Sequence, residues 1–182
     1  YSQWHLEYRM SSISVKELSH PAGEVIKIAA GKTLDLKSQG SVTMPTGSVL
    51  QVIQGTYSTT TALSTTTYTD SGLSATITPS YTSSKILVMW TTHAKLDDGV
   101  GQGWGCKLMR NTTAVYTDGT NYRTYQNQNG GDTRLTTPIS HLDSPSTTSA
   151  ITYKVQVSSH AGTTSFNHAS SETQITLMEI QG

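Results

Sequence analysis

Six histidines, His5, His20, His93, His141, His160 and His168, are the residues of this 182-residue chain best suited to metal chemistry. An imidazole becomes a dependable ligand when another stands close by in an HxH or HExxH pattern, or when a pair of cysteines joins it. Neither pattern occurs, and Cys106 is the only cysteine, which also excludes an intrachain disulfide framework. The carboxylates are as scattered as the histidines. Asp97 and Asp98 are the nearest pair, but neighbours ahead of Gly99 in a turn point in different directions. Glycoside hydrolysis needs two carboxyl groups about 5–10 Å apart across a cleft, and Asp118, Asp132 and Glu172 could supply them only through the tertiary fold. No Gly-x-Ser-x-Gly elbow occurs among the serines. Cys106, with Lys107 as its one activating neighbour, reads as an inert core residue. The expectation is no catalytic residue, no metal and no cofactor.

Binding chemistry is better represented. Residues 97–105 and 117–132 are rich in Gly, Asn and Gln, and with the strand between them they carry Trp104, Tyr116, Tyr122, Arg123, Tyr125, Asn127 and Asn129. An exposed aromatic ring offers a flat apolar face to a sugar or a protein surface, and an amide hydrogen-bonds hydroxyls. Loops on a rigid scaffold are where such residues usually act. These seven are therefore candidate receptor contacts. The plainer alternative is that the tyrosines cover a sheet edge and the Gly and Asn residues make turns.

The elements that would position them are strands. Hydrophobic residues make up 34% of the chain and charged residues 13%, and the difference is filled by 24 Ser and 31 Thr. Branched Thr packs well on a pleated surface and Ser favours turns. No stretch keeps an apolar helical stripe for three turns, whereas two-residue alternation recurs, as in Leu73, Ala75, Ile77 and Ile151, Tyr153, Val155, Val157. Strands are expected at residues 49–57, 66–69, 73–78, 85–95, 105–110, 114–117, 134–141, 150–159 and 173–180. The strand carrying the run 86–90, apolar on both faces, should be central. Short strands separated by turns predict an all-β fold, an antiparallel β-sandwich of jelly-roll type, over residues 48–182. Residues 24–47, very short strands punctuated by Gly31, Gly40 and Gly47, read as a neck or shaft stabilised by several chains winding together, with a simple β-meander as the alternative. Residues 1–23 read as an extended arm, with Trp4, Leu6, Tyr8 and Met10 on one face and Gln3, His5, Glu7 and Arg9 on the other. So apolar a face is expected to pair with a neighbouring subunit or another protein.

Charge narrows the partners. The formal net charge is zero and the pI is about 7.2, with no Lys/Arg cluster to neutralise phosphates, so nucleic-acid binding is not expected. The apolar run 86–90 falls far short of the roughly 18 residues of a membrane span. A first residue that is Tyr rather than Met reads as a processed or truncated chain.

One order of residues resembles a known family. Gly-Ser-Val-Leu-Gln-Val-Ile-Gln-Gly-Thr-Tyr (47–57) precedes Tyr-Thr-Asp-Ser-Gly-Leu-Ser-Ala-Thr-Ile-Thr-Pro (68–79), Ser-Ser-Lys-Ile-Leu-Val (83–88) and a closing Gln-Ile-Thr-Leu-Met-Glu-Ile (174–180). This is similar to the C-terminal head domains of bacteriophage tail-fibre and other virion-appendage proteins, and residues 32–47 resemble the linker leading into such heads. The resemblance implies a homotrimer with a β neck and a jelly-roll-like head, assembled in the bacterial host cytoplasm into a virion. It also implies a role in virion architecture or in contact with a bacterial surface glycan or protein. It carries no binding residue over to this chain. Three readings follow: an attachment fibre, a purely architectural decoration or connecting subunit, and, least favoured, a polysaccharide-degrading spike.

Overall fold

Two-residue alternation decides what this chain buries. In the strand Thr69–Ile77, Ser71, Leu73, Ala75 and Ile77 are buried while Gly72, Ser74 and Thr76 are exposed. The computed structural model describes residues 30–32, 44–97, 99–119, 122–127 and 130–182. The chain divides into Tyr1–Val42 and Thr43–Gly182, and every described strand lies in the second unit. The arm residues Trp4, Leu6, Tyr8 and Met10, and the expected neck apart from residues 30–32 and 44–47, lie outside the described residues.

Among the described residues there are eleven strands and no α-helix. They are β1 (Val49–Tyr57), β2 (Thr61–Leu63), β3 (Thr69–Ile77), β4 (Lys85–Leu96), β5 (Gln102–Arg110), β6 (Thr113–Thr117), β7 (Thr124–Gln126), β8 (Thr133–Asp143), β9 (Ile151–Ala161), β10 (Thr164–Phe166) and β11 (Thr173–Ile180). All pairings are antiparallel. β4 is central as expected, bordered along its length by β8 and on its other edge by β11 and then β10. Phe166 lies opposite Ala94 and Ile175 opposite Trp90, so residues 167–174 cover the distance of residues 91–93. β10 and β11 are thus one strand with an excursion, along which β1 and β2 pair in turn. β6 and β7 likewise share one edge of β5.

Joining β1 with β2, β6 with β7 and β10 with β11 turns eleven strands into eight. In that count one sheet runs first, eighth, third, sixth and the other second, seventh, fourth, fifth. This is the strand order of a jelly roll. The fold is an antiparallel β-sandwich of that type.

Each sheet contributes one face to a single core, with Ile86, Val88, Trp90, Ile175 and Leu177 from the first and Leu73, Ile77, Trp104, Leu108, Tyr153 and Val155 from the second. Two edge-on aromatic pairs cross between the sheets, Trp90–Tyr116 at 5.8 Å and Trp104–Phe166 at 5.6 Å. An ion pair crosses as well: Arg110 of β5 donates to both oxygens of Asp143 of β8 at 3.0 and 2.8 Å, and the Tyr153 hydroxyl of β9 donates at 2.7 Å. The long edge strand β8 carries Pro138 opposite Thr91, and a proline there denies an added strand one of its hydrogen-bond donors.

Several boundaries differ from expectation. Residues 66–68 are not strand; the short strand lies earlier, at β2, and β3 begins at Thr69. The Thr run 65–67 has strand propensity but no apolar residue to bury, and burial decides. β5 begins at Gln102, and β7 and β10 were not anticipated because three residues cannot display a period.

The core also holds a carboxylate. Glu179 of β11 is 0% exposed and accepts from the Gln51 amide at 2.6 Å, the Ser80 backbone N–H at 2.6 Å, the Ser80 hydroxyl at 3.1 Å and the Ser84 hydroxyl at 2.7 Å. It joins β1 and β11 to the segment that carries the chain from β3 in one sheet to β4 in the other. Burial alone would push this carboxyl up, but the donations from Gln51, Ser84 and Ser80 outweigh it and hold it below the ordinary 4.5. Because the folded carboxyl titrates below its unfolded counterpart, its contribution is complete above about pH 4.5 and is lost as pH falls through the lower folded value. Glu179→Ala is expected to cost about 3 kcal/mol at pH 7 by urea unfolding, and the variant should lose stability less steeply than the parent on acidification below pH 4.5.

Candidate functional site

Where β6 ends and β7 has not begun, the edge of β5 opposite β9 lacks a strand partner, and Asp118 takes its place. Its backbone N–H donates to the Cys106 carbonyl at 3.0 Å, and its carboxylate accepts the Cys106 N–H at 2.8 Å. The chain returns to β5 at Arg123, whose N–H donates to the Trp104 carbonyl at 2.6 Å. The other Asp118 oxygen accepts from the Tyr116 hydroxyl at 2.6 Å and, more weakly, from the Arg123 guanidinium at 3.4 Å. Arg123 also donates to the Tyr116 hydroxyl at 3.2 Å. Burial and then the Asp118 carboxylate push the Tyr116 hydroxyl up to about 12. The same two causes push the buried Cys106 thiol up, which makes it a poor nucleophile.

Three candidate receptor contacts therefore have other work. Tyr116 and Arg123 are half-buried members of the Asp118 network. Trp104 is 0% exposed and packs on Phe166. It was expected in a loop, but β5 starts early enough to put Trp104, Cys106 and Leu108 on one inward face, a pattern that Gly103 and Gly105 hide by offering no contrasting side chains.

Tyr122 and Tyr125 do face outward, at 46% and 49% exposure. Their rings meet edge to face at 5.3 Å and 82°. The Tyr122 hydroxyl lies 2.7 Å from His160 Nε2, with the ring centres 4.3 Å apart. His160 falls at a bulge, since Gly103 pairs with Ala161 and Trp104 already with Ser159. Gly103 lies beneath this layer: a Cβ there would sit 2.9 Å from the Thr124 carbonyl oxygen, 3.4 Å from the His160 Cβ and 3.5 Å from a Tyr122 ring carbon. Only glycine leaves room. His160 was missed in the sequence because a bulge one residue long leaves no mark in a Ser-Ser-His-Ala stretch.

A groove of about 460 Å³ opens beside Tyr125, lined further by Thr124, Asn127, Gly130, Gly131 and Asp132. Lys95 binds Asp132 of this lining at 3.0 Å and Asp97 at 2.9 Å, and Asp97 and then Asp132 hold the ammonium above its ordinary value. Asn127 is exposed; Asn129 lies outside the described residues. The three carboxylates singled out in the sequence make separate contacts: Asp118 is buried in its network, Asp132 engages Lys95 and Glu172 accepts from Gln174 at 3.1 Å. Among the described residues no group of three His, Cys, Asp or Glu is placed to hold a metal, and no helix is long and apolar enough to cross a membrane.

No protein-family model matches the chain and no curated protein matches it in sequence. Among solved structures it is similar to the VP2 protein of infectious bursal disease virus in derived T=1 particles (12% identity, TM-score 0.40, covering 81% of this chain and 40% of that one). It is also similar to VP2 in the subviral particle (12%, TM-score 0.39, 82% and 42%) and to a chain of the Gx strain of the virus (13%, TM-score 0.38, 83% and 42%). The chain spans about two fifths of the length of these structures.

The two kinds of aromatic residue should separate on mutation. Trp104→Ala is expected to cost about 4 kcal/mol as a core truncation, and Tyr125→Ala to stay within about 0.5 kcal/mol, both read by thermal or urea unfolding.

Proposed function

We propose that this chain is a structural component of a virion, a trimeric fibre or appendage whose sandwich head contacts the host surface through the Tyr122–Tyr125 end. The observation that carries the assembly part is a row of apolar side chains on the outside of the first sheet. Val52 pairs with Met178, Met178 with Leu87 and Leu87 with Leu142, and none of the four points into the core. Val52 and Leu142 are 53% and 50% exposed. Met89 and Pro138 extend the band into a shallow groove of about 460 Å³ with Thr91, Ser140, Gln174 and Thr176 at its sides.

The second sheet presents a different exterior. Thr76 and Thr152 share a hydroxyl bond at 2.7 Å, Asp70 accepts from Lys154 at 2.8 Å and from Gln156 at 2.7 Å, and Lys107 lies 4.3 Å over the Tyr68 ring. That surface is polar and internally paired, as suits solvent. A contiguous apolar band on one face only marks an interaction surface, and a subunit of a closed symmetric assembly needs such a face. The jelly-roll topology and the resemblance of residues 24–182 to appendage heads support the virion setting.

Light scattering on the purified chain is expected to give the mass of three copies. The double variant Val52→Lys, Leu142→Lys should give one copy with an unchanged circular dichroism spectrum. A parent chain that stays single at every concentration would remove the trimer. An antibody against the sandwich that leaves purified particles unlabelled would remove the virion role.

A further inference from the structure

We infer that the groove beside Tyr125 binds a neutral saccharide, an inference that rests on the attachment reading and gives it a ligand class. The aromatic element is rigid before any ligand arrives. Tyr122 is fixed by its hydroxyl contact with His160 at 2.7 Å, and Tyr125 is braced against Tyr122 at 5.3 Å, yet both remain about half exposed. A ring held in place offers its face to the C–H surface of a pyranose at little cost in side-chain freedom. The groove's volume of about 460 Å³ falls within the roughly 300–1,000 Å³ typical of small-ligand sites.

The polar groups select the class. Asn127 brings both an amide donor and an acceptor, and Asp132 brings a carboxylate whose side chain is 40% exposed, with Oδ2 on Lys95. Sugar hydroxyls donate well to a carboxylate. Lys95 is shared by two carboxylates, Asp97 and Asp132, and the exposed Arg134 stands directly opposite it across β4 and β8. Two cations and two carboxylates balance, so the rim carries no net charge to attract uronates, sialates or phosphorylated sugars. Hydroxyl-rich, uncharged rings need no such attraction and leave no charge of their own unmatched.

The test passes the purified chain over immobilised dextran, mannan and galactan as neutral probes and alginate and polygalacturonate as acidic ones, with adsorption to bacterial cells measured in parallel. Retention is expected on a neutral probe and not on the acidic ones. Tyr125→Ala should cut it about tenfold, the loss of one aromatic anchor, with thermal unfolding unchanged. Asp132→Asn should weaken neutral retention and raise acidic retention. Preference for alginate, or retention indifferent to Tyr125→Ala, overturns the inference. If cells adsorb the chain but no neutral probe retains it, the saccharide class falls and the attachment reading stands. If neither cells nor probes take it up, both fall.

Discussion

The carboxylate of Asp118 stands where a strand is missing, and the outward face of this molecule follows from that substitution. An antiparallel sheet needs a partner for every backbone N–H it buries, and β5 would leave Cys106 unsatisfied between β6 and β7. By accepting that N–H at 2.8 Å, Asp118 lets the chain leave the edge of the sheet and return at Arg123. Tyr122 sits just before the return, and Tyr125 on the short strand that follows it. The same carboxylate gathers Tyr116 and Arg123, so the tether is held from several directions.

The first sheet uses a related device with a different residue. Between β10 and β11 the buried Asn167 adopts a left-handed backbone conformation, receives the Thr60 hydroxyl on its carbonyl and donates its amide to the Thr59 carbonyl. Two neighbouring excursions are thereby sewn to one another, and the ladder resumes on each side. At both of these breaks polar side chains supplement the backbone pairing. Glu179 and Asp143 do the corresponding work in the interior, each joining segments of different strands through several donors. A chain this rich in hydroxyls has many such donors available.

What could be read beforehand was what repeats. The alternation of Leu73, Ala75 and Ile77, the central position of β4, and the two-sheet architecture all follow from a period of two written over many residues. What could not be read was what occurs once. The bulge at His160, the three-residue strands and the pairing of Asp118 with Cys106 depend on registers between segments distant in the chain. Trp104 misled for a local reason, since glycine on both sides removed the polar contrast that reveals an inward face. Tyr122 and Tyr125 were picked out for being aromatic among turn residues; what holds them, Gly103 and His160, was invisible.

Cys106 gives the fold a means of reporting on itself. It is the one thiol in the chain, fully buried, and it sits behind the Asp118 tether with its ionisation suppressed. A thiol reagent can reach it only after that edge of the sandwich has opened, so the rate of its modification is a clock for local opening. A cysteine introduced on the surface would, on the native time scale, be the single position that takes a label.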